Sequence, residues 1–139
     1  MSGPATEYLV ISRGQWDEDL SPQHIQDAID RFYDWHQKQV GECRMKAGQR
    51  LAPERKTVSK QGVVDGPYTE AKEVIGGYWT IRAESLEEAA LLAAGNPCIA
   101  CGLSFEIRPI APERASAFAQ TSETPRARSE GSARAHRAA

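Results

Sequence analysis

The chain has 139 residues, of which 40% are hydrophobic and 26% charged, and its net charge is −2. That length is one domain by ordinary size, and roughly a hundred ordered residues suffice for a core without staples. The near-balanced charge excludes the dense basic face a nucleic-acid binder needs. No apolar run approaches the roughly 20 residues of a membrane helix.

Tyr8-Leu9-Val10-Ile11 reads as a short buried strand. Ahead of it, Met1-Ser2-Gly3-Pro4 lacks the basic start of a secretory signal. Gly14 to Leu20 is a polar loop, and Ser21-Pro22 is a helix start, a capping hydroxyl followed by proline in the first turn. Ile25, Ala28, Ile29, Phe32, His36 and Val40 then recur at three-and-four spacing, a helical stripe that ends near Gly41 to Cys43. Met45 to Leu51 is a strand. Lys56 to Ser59 and Val63-Val64 flank Gln61-Gly62 as a hairpin, and Asp65-Gly66-Pro67 is a turn.

Val74 to Ala83 carries the strongest strand signal, with Gly76-Gly77 implying a bulge or a close backbone approach. Tyr78 and Trp79 fall on opposite faces of it. Ser85 to Glu88 is a capping box, and the helix it opens runs through Ala93 to a stop at Gly95. In Gly102 to Ile110, Leu103, Phe105 and Ile107 alternate with Ser104, Glu106 and Arg108. Two helices over one mostly antiparallel sheet bury these stripes best, and a ferredoxin-like βαββαβ fold fits the order. The expected domain is 7–110. The segment 111–139 carries five arginines and three glutamates and has Phe118 as its large apolar residue, so it is expected to be a disordered polar tail.

Asp65-Gly66-Pro67-Tyr68-Thr69-Glu70-Ala71-Lys72-Glu73 is the most distinctive stretch. Aspartate opens the turn, glycine frees one dihedral and proline fixes the next. Tyr68, Glu70 and Lys72 follow on that rigid bend, which could orient a small polar or anionic ligand. A plain turn into an edge strand, with Lys72 and Glu73 solvated, explains the same residues. Cys98-Ile99-Ala100-Cys101 has redox or metal spacing, with Cys43 as a third thiol. It follows Asn96-Pro97 after a helix end instead of opening a helix, so small apolar packing is the expectation and no metal or cofactor is assigned. An odd count of three cysteines fits a cytoplasmic protein with reduced thiols.

The run DGPY-E-KE with Gly76-Gly77-Tyr78 resembles the hallmark of the YciI-related superfamily, in its DGPF-domain branch. The resemblance extends to Trp35, Ala47-Gly48 with Leu51, Ser85-Leu86-Glu87-Glu88-Ala89, Gly95-Asn96-Pro97 and Glu106-Ile107-Arg108-Pro109. It implies a ferredoxin-like α+β fold of the dimeric α+β barrel type, a homodimer with a cleft near the motif. It says little about activity: relatives include a dehydrochlorinase, and others accompany extracytoplasmic-function sigma factors. Some relatives carry a histidine on the first helix and an aspartate before the proline after the second, proposed as an acid/base dyad. The matching positions here are Phe32 and Asn96, which cannot exchange protons near neutral pH. His36, one turn on, is the candidate replacement, although a histidine on a buried helix face is more often a core residue.

The expectation is therefore a small-molecule-binding or weakly enzymatic protein. Asp65, Gly66, Pro67, Tyr68, Glu70 and Lys72 are its candidate ligand site, and Asp65, Glu70 and His36 its candidate catalytic groups. The alternative is a non-catalytic interaction module, such as a sigma-factor partner.

Overall fold

The structure is a computed structural model, and it describes residues 5–65 and 74–125. Its elements in chain order are β1 (Thr6–Arg13), α1 (Pro22–Gly41), β2 (Met45–Arg50), β3 (Lys56–Ser59), β4 (Gly62–Asp65), β5 (Ile75–Ala83), α2 (Leu86–Ala93) and β6 (Ser104–Pro109). Between α2 and β6 the chain makes one 3-10 turn, Pro97–Cys101. β2, β5, β1 and β6 form a four-stranded sheet in that order, with antiparallel neighbours throughout, and β3 pairs with β4 as a separate hairpin. With the hairpin set aside, this is the ferredoxin-like α+β arrangement.

Both helices start where the side chains dictate. The Ser21 hydroxyl accepts from the His24 amide at 3.1 Å, and the Ser85 hydroxyl accepts from the Glu88 amide at 3.0 Å. Each satisfies an amide that has no partner within its helix. The buried stripe of α1 runs through Ala28, Phe32, Trp35, His36 and Gln39. Val40, expected inside, is exposed and Gln39 is buried instead. Steps of three and four from Phe32 lead through Trp35 and His36 to Gln39, one position short of the valine. Trp35 packs against the core, where its indole nitrogen lies under Gly95.

The core sits between the helices and one sheet face. Tyr8, Val10, Met45, Trp79, Ile81 and Ala83 project from the strands onto Ala89 and Ala93 of α2 and Phe32 of α1. Val10 and Ile81 are fully buried, and burying such a side chain contributes about 1.5–3 kcal/mol. The register places Val10 beside Trp79 and Ile107 on this face, and Ile11 beside Tyr78 and Glu106 on the other. Trp79 is accordingly buried and Tyr78 exposed. β1 is longer than its apolar centre because Thr6, Glu7, Ser12 and Arg13 continue the ladder to β5.

Two irregularities coincide at one end of the sheet. Between β1 and β5 the pairing steps from Ser12–Gly77 to Arg13–Ile75, which leaves Gly76 as an extra residue. Between β2 and β5 it steps from Lys46–Thr80 to Gln49–Tyr78, so Ala47 and Gly48 oppose Trp79 alone. The bulge expected at Gly76-Gly77 is present, joined by a second on β2. Such bulges bend strands and re-aim side chains. A Cβ on Gly48 would overlap the Tyr78 carbonyl, and one on Gly77 would lie 2.8 Å from the Gln49 oxygen. Both positions therefore require glycine.

Candidate functional site

The bulged end of the sheet does not close against α1. A cavity of about 520 Å³ remains between them, within the usual range for small-molecule sites. Its helix wall is Ile29, Phe32, Tyr33, His36 and Gln37. Its sheet wall runs from Ala47 to Arg50 and from Gly76 to Trp79, with Ser12, and Trp16, Cys98, Leu103 and Phe105 complete it.

Trp16 reaches this wall because the loop after β1 is pinned. The Asp17 amide donates to the Cys101 carbonyl at 2.9 Å, and the Gly14 amide donates to the Val74 carbonyl at 3.1 Å. Gly102 has φ +110°, and a Cβ there would come within 2.6 Å of the Asp17 carboxylate, so glycine lets the two segments meet.

The wall is aromatic. Phe32 stacks on His36 with ring centroids 5.4 Å apart and contacts Trp79 at 5.2 Å. Trp79 meets His36 edge-on at 5.5 Å and Phe105 at 5.5 Å. His36 is 8% exposed, and among the described residues neither its Nε2 nor the Trp79 Nε1 has a hydrogen-bond partner. Burial lowers the His36 pKa from 6.5, so the imidazole is neutral near pH 7. The expectation that His36 lies on the buried face of α1 is met, and its ring belongs to the cavity wall.

Asp65 lies elsewhere. It ends β4 opposite Lys56, pairs with the Lys56 ammonium, and its side chain is 87% exposed. It does not line the cavity. Gly66, Pro67, Tyr68, Glu70 and Lys72 lie outside the described residues. Phe32 is in the cavity wall, while Asn96 is buried and caps the 3-10 turn, its Oδ1 accepting from the Cys98 amide at 2.8 Å.

The family model described as YCII-related domain matches residues 8–129. The chain belongs to the YCII-related family. The match extends beyond Ile110 into the segment expected to be a tail, where Arg108 donates to the Ser122 hydroxyl at 3.3 Å. No curated protein matches the chain significantly.

In this YCII-related domain Cys98 and Cys101 are buried free thiols, and Cys43 is exposed. Contrary to expectation, Cys98 does sit in the first turn of a capped helical segment. A single 3-10 turn does not activate it. Burial, then the neighbouring Cys101, push its pKa up to about 11, against a smaller opposing effect of Arg31. No group of three metal-binding side chains occurs among the described residues.

Sequence reasoning missed Gly48, Ser12, Arg50 and Trp16 as parts of one wall. The glycines of β2 and β5 were visible separately, but no local pattern shows that two bulges face each other.

Proposed function

We propose that this YCII-related domain binds a small molecule in the cavity between α1 and the bulged ends of β2 and β5. The observation that carries the reading is the cavity itself: about 520 Å³, walled by Phe32, Trp79 and Phe105, with His36 buried and its Nε2 without a partner among the described residues. A neutral imidazole accepts at one nitrogen and donates at the other, so His36 is the candidate to accept a proton if the bound molecule is also transformed. Tyr68, Glu70 and Lys72, which follow the hairpin in the chain, are kept as candidate ligand contacts, whereas Asp65 faces solvent beside Lys56.

The protein acts as a homodimer in this reading. The outward sheet face carries half-buried Leu9 and Ile11 beside exposed Tyr78, and an apolar sheet face of this kind supports self-association. No helix among the described residues is long and apolar enough to cross a membrane. Free thiols suit the cytoplasm.

Titrating the full chain with a fragment library under two-dimensional NMR tests the reading. Binding fragments should shift the Trp79 indole and His36 ring signals together. If every binding fragment shifts the β3–β4 hairpin or the outer sheet face instead, the cavity is not the site.

A further inference from the structure

The cavity wall also specifies a class of ligand, an inference that rests on the cavity being the binding site. Four rings, Phe32, His36, Trp79 and Phe105, form a continuous chain of contacts with centroids 5.2–5.5 Å apart. Packed aromatic walls present edges and faces that a flat ring system matches and a puckered one does not.

Charge narrows the class. Of the described residues lining the cavity, none is a carboxylate, and Arg50 carries the full charge. Arg50 is exposed on β2 and no described carboxylate pairs with it. Its neighbours across the strand pair are Gly77 and, beside it, Gly76, so β5 offers no side chain at the two positions beside Arg50. A guanidinium presents donors matched to a carboxylate or similar oxyanion.

Gly76 supports the same picture. Gly48 and Gly77 are glycines because backbone lies against them. Gly76 is not so constrained: its φ is not left-handed, and a Cβ would meet just the Ser12 hydroxyl, at 3.6 Å. A strand position that tolerates a side chain but lacks one suits close approach by something other than the described protein.

We propose that the cavity binds a flat aromatic anion, its ring system against Phe32, Trp79 and Phe105 and its anionic group at Arg50. The test is calorimetry on the full chain with three probes: 2-naphthoate, its saturated analogue decahydro-2-naphthoate, and protonated (2-naphthyl)methylamine. 2-Naphthoate should bind about tenfold or more tightly than either of the others. Arg50→Gln should weaken 2-naphthoate about tenfold, the loss of one charge-assisted contact. Gly76→Val should abolish binding with an unchanged melting curve. Should that variant unfold, the Trp79 indole shift on titrating the unmodified chain locates the probe instead.

Equal binding of all three probes, lost in Gly76→Val or shifting Trp79, would overturn the aromatic-anion class and leave the cavity as the site. Binding of none, or binding insensitive to Gly76→Val and silent at Trp79, would overturn both.

Discussion

His36 packs against the rings of both Phe32 and Trp79, and burial lowers its pKa below 6.5. The unfolded chain therefore takes up this proton at a higher pH than the native one. Stability linked to His36 is fully present above pH 6.5 and is lost as pH falls through the native pKa. His36→Phe keeps an aromatic ring without the titration. Denaturant unfolding between pH 7 and 5 should show the unmodified protein losing stability more steeply than the variant. Parallel pH curves would mean that His36 titrates alike in both states. Thiol reactivity is a second check at this scale. The chain has three cysteines, and thiolate is the reactive form. With Cys98 raised to about 11 and Cys101 buried, a thiol reagent at pH 7.5 should modify Cys43 quickly and the other two on unfolding. Rapid native labelling of Cys98 would contradict the assigned environment.

Glycine governs the elements that shape the cavity, and the three glycines of its sheet wall differ. Gly48→Ala places a methyl into the Tyr78 carbonyl, and the bulge must rearrange. Forcing backbone apart in a packed sheet costs about 1–3 kcal/mol, occasionally more. Gly76→Ala meets no such obstacle and should leave stability unchanged or raised by up to about 1 kcal/mol, since glycine is the weaker strand residue. Thermal melts of the two variants should diverge accordingly, and equal losses would mean the bulge geometry is misassigned. Ser85→Ala removes the hydroxyl that receives the Glu88 amide and should cost about 1 kcal/mol. These elements were legible before any coordinates. The capping serines, the apolar stripes and the Gly76-Gly77 break each act within a few residues, so sequence order reveals them. The buried Gln39 and the second bulge at Ala47-Gly48 were not legible. Both arise from how α1 ends over the sheet and how β2 meets β5, relations between segments about thirty residues apart.

At the scale of the whole molecule, the ferredoxin-like order followed from counting elements, because two helices and one sheet leave few ways to bury their stripes. The candidate cavity was legible in part. His36 was marked by its place on the α1 stripe, and it stands in the cavity wall. Asp65 was marked by its turn chemistry, and it faces solvent on the β3–β4 hairpin beside Lys56. A turn motif encodes its own bend but not the direction in which the hairpin projects. The outer sheet face gives a further prediction. If Leu9, Ile11 and Tyr78 are covered by a second copy, the melting temperature should rise with protein concentration. Light scattering should give twice the monomer mass, and Tyr78→Lys should halve it. A monomer at every concentration would rule out a dimer through this face.

The space between α1 and the bulges of β2 and β5 is the proposed ligand site, and a crystal structure of the full chain soaked with 2-naphthoate would reveal its occupant. Density for the ring system should lie against Phe32 and Trp79, with the carboxylate toward Arg50. A cavity filled by the protein's own side chains, with the probe absent or bound elsewhere, would contradict it.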